Sequence, residues 1–262
     1  MSSWFAAIRA AKRRRAMEAP FPPAWDEILE RNLPLVTRLD EDDRATLRKM
    51  VQGFLAEKRF EGLGGLELTD EIRVTIAAQA CLLLLHRDHA CYPKLRSILV
   101  YPTTYEAPTQ TMSPDGVMTE GRQRRLGEAW TLGSVVLAWD SVRGGAADPK
   151  DGQNVVLHEF AHQLDMEDSA ADGAPVLERR GMYAAWARVL GAEYEDLQES
   201  IRRRQRTVMD RYGATNPAEF FAVATETFFE KPRQLKKKHP ELYEQLQAFY
   251  RQDPERLATR RR

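Results

Sequence analysis

Val155-Val156-Leu157-His158-Glu159-Phe160-Ala161-His162-Gln163-Leu164-Asp165 carries the densest chemical information in the chain. Read as a helix, it sets His158 and His162 one turn apart on one face, where both imidazoles can hold a single Zn²⁺. Glu159 points beside that face, in reach of a water on the metal, whose proton it can take. Val155, Val156, Phe160, Ala161 and Leu164 supply apolar packing that keeps such a helix rigid. The chain has five histidines, so a chance His-Glu-x-x-His has a likelihood on the order of one per cent. The competing explanation is a surface histidine pair at ordinary helical spacing.

A catalytic zinc needs a third protein ligand and an open position. Metzincins find theirs in a glycine and a histidine shortly after the motif; here Asp165 stands in the glycine's place and the next histidine is His239. A glutamate is the alternative, as in gluzincins, and Glu178, Glu193, Glu195, Glu199, Glu219 and Glu226 are candidates. Asn216-Pro217-Ala218-Glu219 reads as a helix start with Asn216 as N-cap, and a glutamate at that third position can reach back to the cap. Glu219 and Glu226 share a face of a helix that is otherwise apolar at Phe220, Phe221, Phe228 and Phe229. Two carboxylates in that setting require a partner. Spacing leaves Glu219 and Glu226 as alternatives for the ligand, with the other supporting a histidine. Asp165, one turn past His162, either braces a ligand histidine or caps a local turn.

Outward from the motif, the chain reads as helices, a few strands, then helices, an α+β order rather than an alternating one. Asp40 opens a helix with an acidic first turn and an apolar stripe of Leu47, Met50, Val51, Phe54 and Leu55. A second, buried helix follows Thr69-Asp70-Glu71 and runs to about Leu85. Arg96 to Tyr101 reads as a strand ended by Pro102, and Trp130, Leu132 and Ser134 to Trp139 suggest one or two more. Gly144 to Gly152 reads as a loop, and helical patterns cover about 152–167, 180–205, 217–230 and 239–251. Residues 1–23 form a basic, flexible arm, 24–68 an N-terminal helical layer, 69–255 the core with C-terminal helices, and 256–262 a basic tail. The arm reads as a frayed helix with a solvated face, contact with a membrane surface or an acidic partner being the alternative. His86 and His89 near Cys91 lack a fourth ligand for a second metal, and His239 is expected at the surface.

His158-Glu159-Phe160-Ala161-His162-Gln163-Leu164-Asp165-Met166, together with Tyr212 to Val223 around Asn216-Pro217-Ala218-Glu219, resembles the Mlc titration factor A family of bacterial zinc peptidases. Phe54 to Gly62 and Ile76 to Cys81 are similar too, so the resemblance spans about residues 24–255. It implies a gluzincin-like fold related to the catalytic core of anthrax lethal factor: a small mixed sheet, a motif-bearing active-site helix and flanking helices. It also implies His158, His162 and Glu219 as zinc ligands, Glu159 as general base and Tyr212 as a tyrosine near the metal. A phenol there can donate to the oxyanion formed when water attacks a peptide carbonyl; otherwise Tyr212 caps the helix entry. The resemblance further implies aminopeptidase-like action on peptides, and sequestration of a transcriptional repressor of glucose uptake genes. By analogy with zincins, the strand near Val135 to Trp139 would pair with an extended substrate.

Composition limits the alternatives. The 262 residues carry 39 Lys+Arg against 39 Asp+Glu. A net charge of zero gives no field for a polyanion, which argues against direct nucleic-acid binding. The longest apolar run, Val74 to Leu85, is too short for a transmembrane segment, and the basic stretch around Lys12 to Arg15 lacks the apolar run and cleavage site expected of a signal peptide. Two cysteines cannot build a disulfide framework in a chain this long. Cys81 reads as a small core residue, and a reducing cytoplasm is the expected location.

Overall fold

A computed structural model describes residues 2–87, 91–103, 106–112, 118–124 and 133–259. Three short strands form the sheet that matters for the site. They are β1 (Arg59–Gly62), β2 (Ser97–Tyr101) and β5 (Ser134–Ala138), in the order β1-β2-β5 and parallel throughout. The expected mixed sheet is therefore corrected: the antiparallel pairing lies in a separate ribbon of β3 (Glu106–Met112) and β4 (Met118–Arg124). Ile98 and Val100 lie in register with Val135 and Leu137, and all four are buried. This alternation gives the sheet one inward face. Trp130 and Leu132 lie outside the described residues.

Parallel strands cannot be joined by a tight turn, so longer segments make the crossings, and between β2 and β5 the chain carries the β3–β4 ribbon. The connection from β1 to β2 carries α4 (Asp70–Leu82), whose first turn is capped by the Thr69 hydroxyl at 3.4 Å from the Ile72 amide. Every residue from Val74 to Leu82 is buried. α3 (Glu41–Glu57) begins where its acidic turn predicts, with Asp40 Oδ1 accepting from Asp43 N at 3.0 Å. α2 (Pro23–Asn32) packs on α4, and α1 (Ser2–Glu18) lies along α3, where Arg13 meets Glu57 at 3.5 Å. The last basic residue before the described end, Arg256, lies in α11 (Pro254–Thr259).

The loop expected over Gly144 to Gly152 starts only at Asp148, because α5 (Trp139–Ala147) runs through both Gly144 and Gly145. Glycine is a poor helix former, but here contact outweighs propensity. A Cβ on Gly145 would stand 2.8 Å from the Gln153 carbonyl oxygen, so only glycine lets α5 approach the entry to the next helix. That helix is α6 (Val155–Asp165), the motif helix, packed on α4, α5 and β5. α7 (Met182–Arg202) and α8 (Pro217–Glu230) follow, then α9 (Pro232–Lys238) and α10 (Pro240–Tyr250). Trp186, Phe221, Phe249, Phe228 and Tyr250 form a continuous aromatic cluster behind α8. Among the described residues no helix is long and apolar enough to cross a membrane.

Candidate metal centre

α6 and α8 pack directly on each other, and each is started by an asparagine. Asn154 Oδ1 accepts from Leu157 N at 3.1 Å, and Asn216 Oδ1 accepts from Glu219 N at 2.9 Å. These caps hold orphan amides of the first turns and fix where each helix begins. With both starts fixed, the faces bearing His158, His162 and Glu219 are opposed.

The three side chains converge. His158 Nε2 lies 2.9 Å from Glu219 Oε2, His162 Nε2 lies 3.3 Å from the same oxygen, and the two Nε2 atoms are 3.2 Å apart. Around one tetrahedral ion with donor distances of about 2.0–2.1 Å, donors sit roughly 3.3 Å from one another. Two nitrogens and one carboxylate oxygen at these separations fit a metal. They are the one such cluster found among the described residues. Two imidazole nitrogens and an anionic oxygen also form the donor set that suits a borderline divalent ion.

Behind this trio runs a buried polar chain. His158 Nδ1 lies 2.8 Å from Glu226 Oε1, so an N–H there donates to the carboxylate and leaves Nε2 as the free donor atom. Glu226 Oε2 accepts a short bond from Asn154 N. Asn154 Nδ2 donates to Gln79 Oε1 at 2.8 Å and Glu230 Oε1 at 3.0 Å, and Gln153 N donates to Glu230 Oε2 at 3.1 Å. Gln79, Asn154 and Glu230 were not singled out by the sequence reading. Asn154 was legible as a cap, and Glu230 lies one turn beyond Glu226, but Gln79 gives no signal inside its apolar run.

Electrostatics separate the two carboxylates. Burial raises both, but the hydrogen bonds and charges of His158 and His162 outweigh it at Glu219, which is held down to about 2. Glu226 stays above the ordinary range because its burial outweighs the His158 bond. Burial lowers His158, yet Glu219 and Glu226 together push it up to about 10. Burial also lowers His162, which has no exposed surface.

Glu159 is buried beside His158, near enough for its charge to raise both His158 and Tyr212. Tyr212 follows Asp210, whose Oδ1 accepts from the Tyr212 amide at 2.8 Å. Its ring centre stands 5.9 Å from that of His158, and it is 51% exposed. Burial of part of the ring, with Glu219 and Glu159 nearby, raises the phenol to about 12, so it is a donor at neutral pH.

Asp165 takes the turn role. Its Oδ2 accepts from Gly173 N at 2.9 Å, and the Gly173 carbonyl accepts from Trp186 Nε1 at 3.0 Å. Gly173 has φ +78°, and a Cβ there would stand 2.4 Å from the Pro217 carbonyl oxygen. Asp165 thus pins a glycine turn against the start of α8, and burial raises its carboxyl to about 7. Of the remaining candidates, Glu178 pairs with Arg251, Glu199 with Arg202 and Arg203, and Glu193 with His239 at 2.6 Å. His239, expected at the surface, is half-buried by that contact. His86 pairs with Asp43 at 3.0 Å, and His89 lies outside the described residues.

Comparison with known proteins places the chain in a metallopeptidase family. A family described as glucose-regulated metallo-peptidase M90 matches residues 8–251. An uncharacterized protein of Synechocystis sp. is 43% identical over 245 residues, covering 93% of this chain and 89% of its own. Mlc titration factor A of Serratia proteamaculans is 34% identical over 233 residues, covering 88% and 87%. Mlc titration factor A of Yersinia pestis is 31% identical over 233 residues, covering 88% and 84%. Matched over most of its length by the family and by these relatives, the chain belongs to the M90 metallopeptidases, among which the Mlc titration factor A proteins are its kin.

Proposed function

We propose that the protein is a zinc-dependent peptidase of gluzincin type, aminopeptidase-like, acting on peptides in the cytoplasm. The observation that carries this is the convergence of His158 Nε2, His162 Nε2 and Glu219 Oε2 within 3.3 Å of one another, beside a buried Glu159 on the same helix.

His158, His162 and Glu219 would hold the zinc ion, which when bound would supply the Lewis acidity that lets water attack at neutral pH. Glu159 takes the proton of the attacking water and returns it to the leaving amine. The Tyr212 hydroxyl, protonated at neutral pH, donates to the oxyanion that develops on the scissile carbonyl. Glu226 holds His158 in the tautomer whose Nε2 faces the other ligands. β5 bonds to β2 along one edge, and its other edge has no strand partner among the described residues, which suits pairing with an extended peptide.

The test is Glu159→Gln. Purified variant retains its zinc and loses peptidase activity by about 10²–10⁴-fold against an amino-acid amide series. Full activity with zinc bound overturns the assignment.

A second reading rests on the relatives named Mlc titration factor A. In it the chain binds a transcriptional repressor of glucose uptake genes, through its C-terminal helices or basic arm. A double variant, His158→Ala with His162→Ala, tests whether the two roles separate. Retained repressor capture without hydrolysis supports binding as an independent function, and loss of both ties binding to the metal centre.

A further inference from the structure

A cavity of about 560 Å³ lies where the link between α1 and α2, the end of α3, β1 and the start of α4 meet. It shares no residue with the metal centre. A volume of this order is typical of small-molecule sites. Trp25, Leu55, Ala56 and Phe60 give it apolar walls, and hydrogen bonds and ring contacts hold those walls in place. Gln52 Nε2 donates to the carbonyls of Ala19 at 3.0 Å and Pro20 at 3.1 Å, which ties the α1–α2 link to α3. Trp25 Nε1 donates to Asp70 Oδ2 at 2.9 Å, and its ring meets Phe21 edge-on with centres 5.7 Å apart. Phe60 packs on Phe54 with ring centres 6.2 Å apart.

Three charged side chains line this cavity, and one of them is already spent. The Lys58 ammonium donates to Glu57 at 3.1 Å and to the carbonyls of Tyr92 at 2.7 Å and Leu95 at 3.1 Å, so Lys58 offers only its stem. Asp70 and Arg73 are different. They stand three apart on α4, a spacing at which opposite charges commonly approach each other. Here they do not, and neither pairs with another charged side chain among the described residues. Asp70 gives one oxygen to Trp25 and keeps the other. Arg73 spends Nη2 on the Leu68 carbonyl at 3.2 Å, and its buried Nε has no partner. A guanidinium has five N–H donors, so most of the fork is unused. An uncharged apolar ligand would use neither group, and a fatty acid would meet the Asp70 carboxylate as a like charge. A ligand with an ammonium and a carboxylate on one head, and an apolar body, satisfies both charges and the walls.

We propose that this cavity binds a free α-amino acid with a large apolar side chain, its ammonium on Asp70, its carboxylate on Arg73 and its side chain against Trp25, Leu55 and Phe60. Binding here needs no metal and no hydrolysis, so the site stands whether or not the peptidase reading does.

The test is calorimetric titration of the full chain with L-leucine and L-phenylalanine, with and without a metal chelator. Three further probes each lack one part of the ligand: phenethylamine the carboxylate, 3-phenylpropionate the ammonium, and glycine the side chain. None of them has a peptide bond to cleave. The expected result is one amino-acid site per chain that survives the chelator, with each of the three probes at least about tenfold weaker than L-phenylalanine. Asp70→Asn and Arg73→Gln each weaken L-phenylalanine about tenfold. The proposal is overturned if neither amino acid binds, or if phenethylamine or 3-phenylpropionate binds as tightly as L-phenylalanine. Binding abolished by the chelator overturns it too, because the ligand then sits on the metal. The probe series on the wild type decides the matter even where a variant fails to fold.

Discussion

Glu219 and Glu226 are the same residue type on one face of α8, and His158 touches both, one through each ring nitrogen. Glu219 meets Nε2, shares its oxygen with His162, and lies under a tyrosine that is half in solvent. Glu226 meets Nδ1 and is locked from behind by the Asn154 amide. The first is held at about 2, where it is an anion under any working condition; the second is pushed the other way by burial. In the proposed centre, identical chemistry thus takes two jobs, one facing the cation and one orienting the histidine that faces it. Seven-residue spacing places both on the histidines' side, and only the neighbours distinguish them.

The sharpest way to break this contrast is Glu219→Ala. The variant is expected to lose stoichiometric zinc on dialysis, with peptidase activity falling to background; zinc content by elemental mass spectrometry checks it. Zinc retained at wild-type affinity would move the ligand role to Glu226. Next is Tyr212→Phe, expected to lower kcat on the order of 10²-fold with KM little changed, as for loss of one oxyanion donor. An unchanged kcat would make Tyr212 a helix-entry residue only. Glu226→Gln is expected to keep the site occupied but weaken zinc about 10–100-fold in a chelator competition, because an amide cannot accept from both His158 and Asn154. Equal losses from Glu219→Ala and Glu226→Gln would erase the distinction.

The smallest effect concerns the rear of the site. Burial, opposed by the Asn154 bond, raises Glu230 to about 8 from an ordinary 4.5. The folded protein therefore keeps a proton that the unfolded chain releases. Its contribution to stability is full below pH 4.5 and declines as pH rises towards 8, by at most about 1.4 kcal/mol per pH unit. Glu230→Gln, which mimics the neutral acid, is expected to lose this slope in urea titrations run between those pH values, with activity within about twofold of wild type. A wild-type stability that does not fall across that window would show that Glu230 is ionised in the folded state.

Much of the centre was legible because its signals are local. The motif helix shows as a run of apolar residues with histidines four apart, and the caps at Asp40, Thr69 and Asn216 sit at the helix starts they predict. β2 and β5 show as short apolar runs bounded by breakers. β1 does not, since Arg-Phe-Glu-Gly has too little pattern in four residues and becomes a strand only by pairing with β2. α5 was hidden by Gly144 and Gly145, both poor helix formers, and only at Gly145 does the close approach of Gln153 call for a glycine.

By itself the sequence determined the helix-borne His158, Glu159 and His162, and a short roster of acidic residues from which a third donor could come. Tertiary structure brought Glu219 of that roster onto the two histidines, sent Asp165 to the Gly173 turn, and assembled the Gln79, Asn154 and Glu230 chain. The reason is one of range. Capping and helical periodicity act over three or four residues and leave a trace in the string. Which nitrogen a carboxylate reaches, and how dry its surroundings are, depends on segments about 57 to 75 positions apart in the chain, brought together only by burial of the core.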